Sequence, residues 1–405
     1  MASTSSPSPI IARPRLEIVS PAKRPAIEAV GGTVGASIID SIDGLEAIEA
    51  EWRALFNISP TAAPPLDWSW VREWWRTFGT KDRRLHTVIV RRGRELVGVL
   101  PLYREYTPLG REHLFTISFS ERPGDSFYPE YVDALAAPGT EGLCGEAIGE
   151  VLTRHGGPVI DTIRFSLASS NGVLDSRIVP ALRPLFGIVE RTLHTAPVAD
   201  LSSGFDGYLT RLSARTRQQM RRLLRGFHET PEAVFEVAST SPARDEFFSE
   251  LVALHQARWR AEGQSGAFDT PERIAFHRAV IARLGERAFL SRLRYKGATV
   301  TVLYGFIVGG KFDFYQSGNE IVERGLKRSG IIAHLLTMEA LAARGIETYD
   351  FLAGEAPYKL QLATARRSLT ELVVRRSTVR ARIAHVLRAA AKGVRRQMSR
   401  SALER

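Results

Sequence analysis

The chain has 405 residues, 44% hydrophobic and 24% charged, which is more than one ordinary compact core accommodates and predicts two domains plus tails. It holds no run of about 18 apolar residues, so no membrane-spanning helix is expected. Its one cysteine, Cys144, excludes an internal disulfide and suits a reducing cytoplasm. Within the formal charge of +11, residues 375–405 hold ten Lys/Arg against one Glu and residues 1–35 hold four against two, so the body, 36–374, is neutral. An enzyme acting on nucleic acid more often carries its basic patch on the folded body, so nucleic acid is not an expected partner.

Residues 1–35 are rich in Ser, Pro and Ala, lack the apolar core of a secretory signal, and are expected to be disordered. The stripe Leu45, Ile48, Trp52, Leu55 predicts a helix over 43–57 with Asp43 as N-cap. After Pro64-Pro65 a Trp-rich helix is expected, stopping at Gly79. Strands follow over 85–92, 95–103 and 112–119, then a helix through GTEGLCGEAIGEVLTRHG and a strand over 161–167. The second half repeats this order. An Arg-rich helix with Ser213 as N-cap spans 213–228, a strand follows, and helices span 242–262 and 270–284. Three strand-like runs come next, RAFLSRLRY, TVTVLYGFIVG and KFDFYQSG, then a helix over 329–344 and a strand over 348–352. Such an order predicts an α/β (α+β) layered fold with mixed sheets.

The best-marked chemistry is KFDFYQSGN, a gap, LKRSGII opening a helix, and YDFLAGEAPYK. A strand, a glycine-bearing loop and a helix N-terminus make an anion site, because free amides and the positive end of the helix dipole meet there. Arg324, Lys327 and Arg328 add positive charge, and Ser329 and Gly330 allow close backbone approach. An ordinary helix start with Ser329 as N-cap is the alternative. His255, Arg258 and Trp259 fall on one helix face and form a candidate substrate wall; core packing of the same residues is equally compatible. His334 reads as a core histidine, and Trp68, Trp70, Trp74 and Trp75 as packing rather than a carbohydrate platform. No P-loop, dinucleotide glycine pattern, zinc-ligand spacing or G-x-S-x-G elbow is present.

Residues 36–372 resemble the CelD-like acetyltransferase-domain family of the GNAT superfamily, related to FemAB-like double-GNAT enzymes. The likeness rests on PPLDWSWVREWWRTFG, VIVRRGRELVGVLPLY, TRQQMRRLLR, LHQARWRAEGQSGAF, YQSGN, LKRSGII and MEALAARGIETYDFLAGEAPYK, in that order. It implies two GNAT-like halves, 36–199 and 200–372, with largely antiparallel central sheets flanked by helices. It further implies an acyl-CoA-dependent N- or O-acyltransferase, with acetyl-CoA or another acyl-CoA as co-substrate, no metal, and a small-molecule or saccharide acceptor of exopolysaccharide or envelope synthesis. An aminoacyl-tRNA donor, as in the FemAB branch, and a non-catalytic scaffold are the alternatives.

Carried onto this chain, the resemblance places pantetheine in a splay between Lys311–Ser317 and Thr348–Leu352, so that Gln316 and Ser317 contact the donor. Its pyrophosphate meets Lys327, Arg328, Ser329, Gly330 and Ile331, with Arg324 nearby. Ile332 departs from the superfamily's small third position in that loop. Tyr358 is the candidate acid for the leaving thiolate, Glu355 and Asp350 the candidate bases, and Lys359 a contact for phosphate or an acidic substrate group. The arginines of 211–225 read as a solvated face or as a contact for phosphates. In the basic segment 373–405, Val379, Ile383, Leu387, Ala390, Val394 and Met398 line one helical face; packing of that face on the body, reversible contact with an anionic membrane surface and RNA binding are all compatible, beside an expected cytoplasmic location.

Overall fold

The computed structural model describes residues 33–377, apart from 107–111, 123, 124, 126, 156–159 and 321–325. Arg324, most of the N-terminal segment and the basic tail from residue 378 therefore lie outside the described residues.

The first half begins with β1 (Val34–Ile39), α1 (Ile42–Ala47) and α2 (Glu49–Ile58). The helix expected over 43–57 is thus two, interrupted at Ile48, and its cap is Ser41, whose hydroxyl accepts the Gly44 amide at 3.2 Å. Asp43 lies inside the first turn, where its charge still favours the helix dipole. α3 (Trp68–Phe78) is capped by Asp67, which accepts the Ser69 amide at 2.8 Å, and stops at Gly79. Then come β2 (Arg83–Leu85), β3 (Thr87–Arg92), β4 (Glu95–Leu100), β5 (Leu102–Tyr106), β6 (Glu112–Thr116), β7 (Glu130–Val132) and β8 (Leu135–Ala136). α4 (Glu141–His155), β9 (Ile160–Ser169), α5 (Val179–Leu182) and β10 (Ile188–Asp200) complete it.

The second half contains α6 (Gly204–Arg211), α7 (Ala214–His228), β11 (Ala233–Val237), α8 (Ser241–Ala261) and α9 (Pro271–Leu284). β12 (Ala288–Tyr295), β13 (Ala298–Val308) and β14 (Lys311–Asn319) form a meander. α10 (Ser329–Ala342), β15 (Thr348–Asp350), α11 (Pro357–Leu362) and β16 (Ala365–Arg375) follow. Ser213 caps α7 as expected, its Oγ accepting the Thr216 amide at 3.2 Å.

Strands β1-β3-β4-β8 make a small sheet. The other twelve form one continuous sheet in the order β11-β12-β13-β14-β15-β10-β16-β9-β6-β5-β2, with β7 also on β9. Pairing is antiparallel except at β14/β15, β6/β9 and β7/β9. β16 lies at the seam. It pairs with β10 from Val198↔Ala365 to Ile188↔Arg375, and with β9 on its other side. The last described strand therefore joins the halves and leaves neither with an open edge at the centre. It runs to Arg375, so the basic segment begins inside the sheet.

Trp68, Trp70 and Trp74 are buried and Trp75 is half-buried, so the Trp-rich helix packs into the core. Trp70 meets Phe276 of α9, Phe306 and Tyr315 edge-on at ring separations of 5.0, 5.4 and 5.9 Å. At about 25 cal/mol per Å² and roughly 200 Å² per ring, each buried Trp contributes on the order of 5 kcal/mol before entropy. These contacts hold α3 of the first half against the helices and strands of the second.

Candidate active site

β14 and β15 pair in parallel over three residues only, Lys311–Asp313 with Thr348–Asp350. Past Asp313, β14 bulges: Tyr304 faces Gln316 but Gly305 faces Phe314, so Tyr315 is extra. A bulge bends its strand. Gly305 permits this one, because a Cβ there would stand 2.3 Å from the Asp313 carbonyl and 2.4 Å from the Phe312 ring. β15 ends at Asp350, and the chain turns away through Leu352, held at φ 59°. The two strands therefore part into a wedge.

The wedge opens into a cleft of about 1140 Å³ lined from both halves. Phe314, Tyr315, Gln316 and Ser317 line one arm, and Phe351, Leu352 and Ala353 the other. Arg328, Ser329, Gly330 and Ile331 line it at the start of α10. Arg328, not Ser329, is the residue preceding the helix, and it adopts the left-handed conformation at φ 61°. Ser329 is instead tied sideways: the Thr301 hydroxyl reaches both Ser329 Oγ and Asn319 Oδ1 at 3.2 Å. A Cβ on Gly330 would approach Asn319 Oδ1 at 3.0 Å, so the helix start sits tightly on the end of β14. The first amides of a helix have no intrahelical acceptor, and here they adjoin the wedge.

Three of the positive-φ non-glycine residues described, Tyr128, Arg328 and Leu352, line this one cleft. Such conformations cost on the order of 1–3 kcal/mol each and concentrate at functional sites.

The expected site residues divide. His255, Arg258, Trp259, Gln316, Ser317, Arg328, Ser329, Gly330, Ile331, Tyr358 and Lys359 all line the cleft. Lys327 is exposed beside it but is not part of its wall. Glu355 is exposed and also off the wall. Asp350 is fully buried behind it, accepting the Tyr131 hydroxyl at 2.5 Å and the Leu352 amide at 2.9 Å, with Arg367 at 3.8 Å. It anchors the seam between the halves.

His255 lines the cleft with both ring nitrogens engaged. Nε2 accepts the Ala267 amide at 3.0 Å, so Nδ1 carries the proton and donates to the Ser317 carbonyl at 2.9 Å. Burial lowers its pKa, which keeps the ring neutral. His255 thus clasps the loop after α8 to the bulged strand. Gly266 makes room for it, since a Cβ there would lie 2.9 Å from the ring. Arg258 is exposed and paired with Glu262 at 3.0 Å.

Tyr358 stacks on His334 at 5.2 Å, and burial pushes its hydroxyl up to about 12. It is a proton donor at neutral pH. His334 accepts from or donates to the Tyr349 hydroxyl at 2.7 Å, and burial lowers it to about 3, so it stays neutral in the core. Lys359 donates to the carbonyls of Ala353 at 2.8 Å and Leu352 at 3.4 Å, bracing the wedge's second arm.

Sequence reasoning missed Glu130. It opens β7 in the first half and crosses to the second, where its Oε2 accepts the Ala353 amide at 2.6 Å. Burial pushes its carboxyl up to about 8; the Ala353 amide and Lys359 oppose the rise, and Asp350 and Asp313 add to it. It lines the cleft with Tyr128, Phe127 and Arg273. Glu130 lies in FYPEYVD, which has neither helical nor strand periodicity, so nothing in the local pattern points to it.

A wedge between parallel strands, a helix start beside it, a protonated tyrosine and a carboxyl with a raised pKa thus share one cleft. Residues 214–360 match the family described as "Acetyltransferase (GNAT) domain". No curated sequence matches the chain. Among solved structures, FemX is similar at 12% identity, covering 80% of this chain and 95% of its own, with a TM-score of 0.54. The C-terminal domain of a putative lysylphosphatidylglycerol synthetase from Agrobacterium fabrum is similar at 11% identity over 86% of this chain and 96% of its own, TM-score 0.51. The match to the GNAT domain is thus confined to the second half, and the chain as a whole shares the fold of FemX. Among the described residues no helix is long and apolar enough to cross a membrane.

Proposed function

We propose that the protein transfers an acyl group from a CoA thioester to an amine or hydroxyl of a small-molecule or saccharide acceptor. The observation that carries this is the open β14/β15 wedge with the start of α10 beside it and Glu130 and Tyr358 lining the same cleft. The cleft, about 1140 Å³, is larger than the roughly 300–1,000 Å³ of a one-ligand pocket, which suits a donor arm and an acceptor together.

The residues present fit the donor. Gln316 and Ser317 on the bulged strand flank its acyl arm, and Arg328, Ser329, Gly330 and Ile331 face its phosphates. Glu130, as carboxylate, takes the proton of the attacking amine or hydroxyl. The new bond forms to the thioester carbonyl carbon, the C–S bond breaks, and Tyr358 protonates the departing sulfur. This replaces Glu355 and Asp350 as the base. Calorimetry with acetyl-CoA and longer acyl-CoAs tests the reading; no binding to any of them at millimolar concentration defeats it.

Aminoacyl transfer is the second reading, favoured by the shared fold of FemX and of the putative lysylphosphatidylglycerol synthetase domain. Turnover with an aminoacyl-tRNA but not with any acyl-CoA selects it. An acceptor from exopolysaccharide or envelope synthesis is the class to screen first.

A further inference from the structure

The second half carries a charged surface that the chemistry above leaves unused. α7 holds five arginines, Arg215, Arg217, Arg221, Arg222 and Arg225, and no acid. Arg217, Arg221 and Arg225 repeat at four-residue spacing, where like charges repel along a helix. Arg215 stands in the first turn, where a cation opposes the helix dipole. Arg217 is occupied, donating to the Thr210 carbonyl at 3.0 Å. Arg215, Arg221, Arg222 and Arg225 are exposed, and none has a side-chain hydrogen bond or ion pair among the described residues. A helix so arranged gains from an added anion.

Its position says which anion. Gln219 lies on the face it shares with Arg215, four residues before it, and Arg222, three after. Gln219 Oε1 accepts from Gln361 Nε2 at 2.8 Å, and Gln361 Oε1 accepts from Arg328 Nη2 at 3.3 Å. This chain of contacts fixes the Arg215/Arg222 face beside the start of α10, where Arg328 lines the cleft and Lys327 is exposed. Arg221 projects from the opposite side of α7, about 160° around the helix from Gln219.

We propose that Arg215 and Arg222 form a docking surface for the phosphate groups at the nucleotide end of the donor, continuous with the start of α10. The inference rests on the acyl-CoA reading: the acyl arm enters the wedge, the pyrophosphate faces the start of α10, and the phosphate at the nucleotide end extends onto α7. CoA, 3′-dephospho-CoA and pantetheine titrated into the full chain test it, using the wild type, Arg215→Gln/Arg222→Gln and Arg221→Gln. These are exposed side chains, so folding is expected to be unaffected, and matched melting temperatures check it. The double variant is expected to lose about tenfold in CoA affinity, with the loss shrinking in high salt. Pantetheine affinity stays equal in all three proteins, and Arg221→Gln binds CoA like wild type. CoA affinity unchanged in the double variant overturns the docking surface while leaving the acyl-CoA reading intact. An equal loss in Arg221→Gln also overturns it, since the effect is then general charge. A larger loss for tRNA than for CoA reassigns the face to a polynucleotide. A wild type that binds no CoA removes both readings.

Discussion

In the first half β6 and β9 pair in parallel across α4, as β14 and β15 do across α10 in the second. The two pairs end differently. β14 and β15 separate after Asp313/Asp350 and leave a wedge. β6 stops pairing at Phe115/Arg164, and β7 then takes up β9 at Leu167 and Ala168, where the equivalent wedge would open. The helix starts differ in the same sense. α10 follows Lys327 and Arg328 and has Gly330 in its first turn, whereas α4 follows Thr140 and carries Glu141 in its first turn. A glutamate there answers the helix dipole from within the chain, leaving less for an outside anion.

The strand that closes the first wedge also equips the second. From β7, Glu130 reaches the Ala353 amide and the next residue, Tyr131, reaches Asp350. The first half is closed by packing and lends side chains to the other cleft, and the second half keeps its opening. The second half alone would hold the wedge without this carboxyl, so the cleft is complete only with β7 of the first half.

The largest expected effect tests that division directly. Glu130→Gln removes the proposed base contributed by the closed half and is expected to lower turnover by about 10²–10⁴-fold, with donor affinity near wild type. The base works only when deprotonated, and its pKa is raised to about 8. Wild-type turnover therefore rises with pH through an inflection near 8 and levels off above that, and Glu130→Gln loses that inflection. A variant with normal turnover and an unaltered profile returns the chemistry wholly to the open half. Tyr358→Phe, in the open half itself, is expected to lower kcat by about 10²-fold and leave donor affinity unchanged. Single-turnover kinetics separates its effect on thiolate departure from product release.

Much of the open half was legible, because its signals are local. Three hairpin strands with glycine turns, a helix N-terminus after basic residues, and Tyr358 just beyond a strand all leave their mark within a few residues. The splay follows from resemblance, but its cause, the bulge at Tyr315 opposite Gly305, leaves no periodic trace. The cross-half features depend on partners far along the chain. β16 reads ARRSLTELVVR, an irregular alternation broken by a bulge at Glu371/Leu372, and its place between β9 and β10 is set by pairing some 200 residues away. Asp350 looked like a base because strand alternation leaves either face open, and only the position of Tyr131 decides it. The strongest local error, one helix over 43–57, came from an apolar stripe that continues across the break at Ile48.

The seam between the copies is a stability question. Tyr131→Phe deletes the hydroxyl that donates to buried Asp350 and leaves that carboxylate with one partner fewer. An unsatisfied buried acceptor costs about 1–3 kcal/mol, so urea unfolding should show a loss in that range. The ring is retained, so its packing under Lys311, whose Nζ lies 3.9 Å from the ring centre, is kept. A loss below the precision of the unfolding curve would mean that Leu352 and Arg367 suffice to hold Asp350, and that Tyr131 is only filler.

The smallest expected effect lies at the closed half's helix start. Glu141 is half-buried in the first turn of α4, with the Cys144 amide donating to the Thr140 carbonyl at 2.8 Å to begin the helix. Glu141→Gln keeps the shape and removes the charge, so the dipole loses its local counter-charge at a cost of about 0.3–1 kcal/mol. Donor affinity should not change, because β7 closes the wedge that a donor arm would need and the arginines proposed to meet phosphate lie on α7 and just before α10. Measuring acyl-CoA binding alongside the unfolding midpoint separates the two quantities. A fall in stability with constant affinity is the outcome that fits one open and one closed copy. Tighter donor binding in Glu141→Gln would mean that this helix start also receives phosphate once its own anion is gone, and the first half would then be a second, self-blocked donor site rather than a filled one.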